Sequence, residues 1–421
     1  MVKLVERNRT RLVLLMICTA LGGAAVLSLA AEDRQVNNEV GGIQERPSLA
    51  PLSDGGTVFV WSDRDENRVE MRRFDSSGQP LDATEVQVGT AVGAKYRPQV
   101  TSSGDGTFQV VWAQDANTGS LEFDVLAQRF QDDGTVLADP VQITRGINAV
   151  PIPAMAFNPA AGTFFVVWKT IGPGVSRQDI GGRRLDSSGQ PLGAEFLINT
   201  STIGQQTAPT VASNAAGQTV VAWHSKINQE ENILFRRFDS AGTALGQNVL
   251  VTEESFIGPL SAGIPNGPAV AMEEDGDFLV AWLSRADVTG GEIVARFFDS
   301  NGLATGGEFV ISGNATPTSE LTAVRIGTEF EVIWDRTTTD IFSRRIDATG
   351  QLLGTETVFT QETAGSQRYA VAFERGGELV ATWSSPDAAS DGVFTNLPQA
   401  PEIFADGFES GDVGAWSESQ P

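Results

Sequence analysis

Residues 72–81 read RRFDSSGQPL, and residues 183–192 read RRLDSSGQPL. Four further stretches repeat the pattern: QRFQDDGTVL from Gln128, RRFDSAGTAL from Arg236, RFFDSNGLAT from Arg296 and RRIDATGQLL from Arg344. Five of the six share Asp-x-x-Gly, with Gln131 in the Asp place of the copy from Gln128, and the pattern has a backbone reason. An Asp side chain accepts hydrogen bonds from the N–H groups that follow it, and Gly supplies the left-handed residue of a type I turn with a bulge. Six copies of that turn imply six copies of one hairpin.

The hairpin belongs to a longer unit. Trp61, Trp112, Trp168, Trp223, Trp282, Trp334 and Trp383 recur at intervals of 49 to 59 residues, each near the end of an apolar run such as TFFVVW or DFLVAW. A turn and another apolar strand, such as PTVAS or PAVAM, precede each run. After the Trp come a loop of varied length, a strand ending in the Arg-Phe-Asp column, the Asp-x-x-Gly turn and a last strand such as EFLIN. Each unit is therefore an antiparallel meander of four short strands. The run before each Trp is apolar at successive positions, so both faces of that strand are buried between neighbouring sheets.

Seven such sheets packed face to face close into a ring. The expected fold is all-β, a seven-bladed β-propeller. The seventh unit runs YAVAF, ELVATW and GVFTNLP, with no clear fourth strand after it. The stretch RQVNNEVGGIQERPSLA from Arg34 aligns with FLINTSTIGQQTAPTVA from Phe196, placing Val36-Asn37 over Ile198-Asn199. The N-terminal strand is thus expected to complete the last blade and close the ring.

Three domains are expected: a signal peptide over residues 1–31, the propeller over 32–399, and a tail over 400–421. Lys3, Arg7, Arg9 and Arg11 precede a long apolar stretch ending near Ser28-Leu29-Ala30, which has the form of a cleavable export signal. Its removal takes away four basic and one acidic side chain, moving the net charge from −24 to −27. Such a chain repels nucleic acid and gains nothing at an anionic membrane. The only cysteine, Cys18, would leave with the signal, so neither disulfide nor thiolate chemistry is expected. The expected location is secreted, extracellular or cell-surface, with the periplasm as the other compartment, no membrane segment after signal removal, and a monomeric state.

The pattern from Gly-x-Phe-Val-Val-x-Trp through Gln-Arg-Phe-Asp to Gly-x-Glu-Phe resembles repeats of large secreted bacterial surface and calcium-associated proteins. That resemblance implies a secreted propeller without assigned chemistry. Residues 403–412, IFADGFESGD, with Trp416, resemble a short C-terminal tail of exported Gram-negative proteins, which implies a sorting or anchoring role.

The loops between strands 2 and 3, and those leading into the next strand 1, vary in length and share one face of the ring. Function on rigid scaffolds concentrates in such loops. Arg46, Arg97 and Arg368 sit just before strand 1 in units one, two and seven, which are neighbours around a closed ring. With Lys95 they form an expected basic crescent at the channel mouth, flanked by the only tyrosines, Tyr96 and Tyr369. Guanidiniums so placed suit a carboxylate or sulfate. The competing reading pairs each Arg with a neighbour such as Glu45 or Asp63. Arginines with tyrosines also resemble sialidase sites, yet the S-x-D-x-G-x-T-W boxes of those six-bladed enzymes are missing.

Catalytic motifs are scarce. The single His224 follows Trp223 and is expected in an exposed loop. No GxSxG, Walker loop or HExxH occurs. Asp63-Arg64-Asp65-Glu66-Asn67 has alternating oxygen ligands but lacks the glycine and distal Glu of a calcium loop. No catalytic residue, metal or cofactor is expected. The expected function is a non-catalytic binding module for an anionic glycan or a protein. The alternatives are a glycan hydrolase or lyase at the channel mouth and a structural spacer.

Overall fold

A computed structural model describes residues 33–397, apart from 40, 91–92, 117–121, 148–149, 172–177, 229, 255–266, 288–289, 316–319, 337–339, 362–364 and 388–389. The expected signal and tail lie outside the described residues. Those described form seven four-stranded antiparallel sheets and no helix. Six sheets use four consecutive strands. The seventh takes Arg368–Arg375, Glu378–Pro386 and Asp391–Thr395 from one end of the chain and Arg34–Gln35 from the other.

The core is divided among the blade interfaces. Seven separate clusters of buried apolar residues each join two adjacent blades, and the last joins blade seven to blade one through Val36, Val380 and Val393 against Phe59, Trp61 and Phe74. An open stack of seven sheets has six interfaces, so the seventh closes the ring. Each repeated Trp is buried in the cluster its blade shares with the preceding one.

The aligned ends make the same bonds. Ile198 N–H donates to Ile180 O at 2.8 Å while Ile180 N–H donates to Asn199 Oδ1 at 2.7 Å. Val36 N–H donates to Val393 O at 2.7 Å while Val393 N–H donates to Asn37 Oδ1 at 2.8 Å. The N-terminal strand therefore stands in the place of an ordinary fourth strand.

The repeated decapeptide is a clamp. Asp75 Oδ1 accepts from Ser77 N–H at 2.9 Å and Gln79 N–H at 2.8 Å, and Gly78 follows at φ 81°. Asp186, Asp299 and Asp347 repeat the arrangement. The first Arg of the motif reaches back to a strand-4 carbonyl of the preceding blade. Arg72 donates to Val36 O at 2.6 Å, Arg183 to Ile143 O at 2.8 Å, Arg236 to Ile198 O at 2.9 Å, Arg296 to Val251 O at 3.0 Å and Arg344 to Ile311 O at 2.8 Å. These arginines bridge blades and take no part in a site.

Candidate functional site at the channel mouth

The first strand of each blade lines the central channel. In blades one, two, four and seven that strand breaks register just after it begins, between Glu45 and Ser48, Tyr96 and Gln99, Thr207 and Thr210, and Arg368 and Val371. The break leaves Arg46, Arg97, Ala208 and Tyr369 at φ 56°, 51°, 49° and 62°. Non-glycine residues adopt such angles at a cost, and they gather where surrounding structure enforces them. Two enforcing bonds are visible. Arg97 N–H donates to Ser62 Oγ at 3.1 Å, and Tyr369 N–H to Asp335 Oδ2 at 3.3 Å. Ser62 and Asp335 each follow the Trp of the preceding blade.

The position at the break is one column around the ring. Read by strand pairing against the Trp strands, it holds Arg46, Arg97, Ile152, Ala208, Gly267, Glu320 and Tyr369. The column does not repeat one chemistry around the ring: it is cationic on the first two blades, apolar on the next three, a carboxyl on the sixth and a phenol on the seventh. The column divides the mouth into a small, apolar side on blades three to five and a polar side on blades six, seven, one and two. Between them lies a cavity of about 240 Å³ lined by Arg97, Gln99, Ala208, Gly267, Glu320 and Thr322, among others.

On the polar side Arg46 is the hub. Its Nη1 donates to Glu320 Oε1 at 3.1 Å, its Nη2 to the Tyr369 hydroxyl at 3.4 Å, and its guanidinium carbon lies 4.3 Å from the centre of the Tyr369 ring. Glu45 stands farther off, at 3.9 Å from Arg46 Nε. Crowding at the channel wall desolvates Glu320 and pushes its carboxyl above the ordinary range, against the pull of Arg46 and Arg97. Its side chain is still 31% exposed, towards the channel. Burial likewise raises the Tyr369 phenol, so it stays protonated at neutral pH.

The other expected residues are spread over different surroundings. Arg368 precedes the column, and its Nη2 pairs with Asp391 Oδ2 at 3.0 Å. Lys95 is 1% exposed, its ammonium without a hydrogen-bond partner among the described residues and its pKa lowered by burial and then by Arg68. Tyr96 packs edge-on against Phe123. Arg97 projects at the cavity, where burial, and then Arg46, push its pKa down to about 10, which leaves it a cation at pH 7. Glu320 is a residue that sequence spacing missed.

His224 is 3% exposed, not in an exposed loop as expected, because the second strand continues through Thr219–Ile227 and carries it inward. Its Nε2 lies 3.1 Å from Glu231 Oε2, and Lys226 Nζ holds the other carboxylate oxygen at 2.9 Å. Asp63 Oδ1 accepts the N–H groups of Asp65 and Glu66, so this carboxylate shapes its own loop.

No protein-family model and no curated protein matches the chain. Solved structures do. Polysaccharide lyase Uly1 superposes with a TM-score of 0.53 at 12% identity, over 85% of this chain and 89% of that one. A protein of unknown function from Dyadobacter fermentans DSM 18053 gives 0.50 at 11% identity, over 86% and 96%. Puromycin hydrolase gives 0.49 at 14% identity, and the chain spans about half of it, 52%. These are likenesses of fold. The expectation of a module without catalytic equipment is corrected here. A polysaccharide lyase shares the propeller over most of its length, and the mouth holds a carboxyl and a phenol on one guanidinium, not arginines alone.

Proposed function

We propose that the protein is a glycan-cleaving enzyme, a hydrolase or lyase, whose active centre is the polar side of the channel mouth. One observation carries this reading: Glu320 and Tyr369 meet on the guanidinium of Arg46, at the edge of a cavity and in a backbone column whose chemistry changes from blade to blade.

Glycosidic cleavage needs one group to take a proton and another to give one. Glu320, with its carboxyl raised, exchanges a proton closer to neutrality than an ordinary glutamate. Tyr369 keeps its proton and has a hydroxyl free to donate while Arg46 occupies its lone pair. In hydrolysis, Glu320 protonates the glycosidic oxygen as the bond to the anomeric carbon breaks, and the resulting carboxylate takes the proton of the water that adds to that carbon. In elimination, Glu320 takes the proton beside a sugar carboxylate, the electron pair forms the ring double bond, and Tyr369 protonates the departing oxygen. Arg46 holds both groups in place and balances charge as it develops. Ala208 and Gly267 leave room opposite for a sugar ring. The export signal read from the N-terminus would deliver the enzyme outside the cytoplasm, where polymeric glycans are found.

The test is incubation of residues 32–421 with a range of polysaccharides, following new reducing ends and the ultraviolet absorbance of unsaturated products. Reducing ends with that absorbance mean elimination, and without it hydrolysis. Glu320→Gln and Tyr369→Phe are each expected to slow cleavage by about 100-fold or more at unchanged melting temperature. Cleavage indifferent to both substitutions, or no cleavage of any polymer, defeats the proposal.

A further inference from the structure

We infer that the channel mouth recognises an acidic glycan, and that the anionic group of its sugar sits on Arg97. This rests on the glycan-cleaving reading and adds the substrate class to it.

The inference follows from how the cations at the mouth are used. Arg46 is committed to Glu320 and Tyr369, and Arg368 to Asp391. Arg97 differs: among the described residues its guanidinium makes neither an ion pair nor a hydrogen bond. Its backbone is held at φ 51° by the Ser62 bond, and Pro98 follows it. Lys169, which follows Trp168 on blade three, is likewise half-buried without a described partner, and it senses the charge of Arg97.

A cation buried at a cavity wall without a bonded partner is costly in any protein. This chain has 53 acidic residues to 29 basic ones, and Glu320 and Glu45 lie close enough to act on Arg97, yet neither is bonded to its guanidinium. A guanidinium with its donors facing a cavity matches a compact anion with two or more oxygens, by paired charge-assisted hydrogen bonds. A sugar carboxylate and a sulfate ester share that chemistry. The neighbouring column positions, Ile152, Ala208 and Gly267, offer no competing charge and leave space for the ring that carries the anion. An anion on Arg97 also lies next in the ring to Arg46, beside the proposed proton-transfer groups.

The experiment measures binding by affinity electrophoresis and calorimetry, separately from cleavage. Three polymers are used: a polyuronate, a neutral polymer carrying sulfate esters, and an unsubstituted neutral polymer. Arg97→Gly is the main variant, because glycine accepts φ 51° and removes the cation without adding backbone strain. Lys169→Ala and Arg97→Lys accompany it. The expected result is retention of one anionic polymer and not the neutral one, weakened about 10- to 100-fold in Arg97→Gly. Lys169→Ala loses less, Arg97→Lys recovers part of the binding, and melting temperatures stay unchanged. Whether the polyuronate or the sulfated polymer is retained identifies the anion. Equal handling of the neutral polymer, or binding untouched in Arg97→Gly, overturns the inference. Retention of an anionic polymer that is never cleaved sinks the enzymatic reading and leaves this subsite standing. Cleavage of a neutral polymer by parent and Arg97→Gly alike does the reverse.

Discussion

Glu70, on the third strand of the first blade, is 3% exposed, with Arg68 Nη2 3.2 Å from one carboxylate oxygen and, among the described residues, no hydrogen-bond partner on the other. Burial pushes its carboxyl up to about 7, with Arg68 pulling the other way. The folded chain therefore keeps a proton that the unfolded chain releases near 4.5. Stability contributed here is present at low pH and declines as pH rises through that window. Glu70→Gln should flatten this part of the stability profile and melt higher than the parent above pH 7. A parallel pair of profiles would refute it. At this scale the site was only partly legible. Arg46 and Arg97 both stand 15 residues before their Trp, and so does Arg368. Blades six and seven, however, turn from strand 1 to strand 2 through two residues, pairing Ile326 with Glu329 and Arg375 with Glu378. The shorter turn moves the column forward by one, from Arg368 to Tyr369, and in the sixth blade onto Glu320. A count of residues is blind to that change, and strand pairing registers it.

The strands were legible because each carries its own pattern: continuous apolar sequence for the doubly buried second strand, and Asp-x-x-Gly for the hairpin after the third. What sequence could not supply was the direction of polar side chains between sheets. Five of the motif arginines bridge blades onto the same carbonyl position. Arg236 also donates to Gly246 O at 3.0 Å, tying its own hairpin to the preceding blade. Arg236→Ala removes both bonds and is expected to cost about 1.5–3 kcal/mol, read as a lower urea midpoint at unchanged slope. A shift near zero would mean that water replaces the guanidinium without loss. Catalytic measurements should not respond, since Arg236 stands on the third strand of its blade and the proposed site is built on first strands.

For the whole molecule, both chain ends had to be read together before the ring could be closed on paper, and closure brings the first, second, sixth and seventh blades around one mouth. The closing strand pairs through only Arg34 and Gln35, with Val36 and Asn37 adding the next bonds. Asn37→Ala leaves the buried Val393 N–H without its acceptor, at a cost of about 1–3 kcal/mol. The Arg46–Tyr369 contact crosses this same junction, from blade one to blade seven. Opening there parts the proposed machinery while most of the sheets stay intact. In rising urea, cleavage should therefore fade before the bulk of the β signal, and Asn37→Ala should widen the gap between the two curves. Coincident curves would mean that the ring comes apart everywhere at once. With separate curves, the clasp of the ring doubles as its fuse, disarming the proposed machinery at a dose of damage from which the scaffold still recovers.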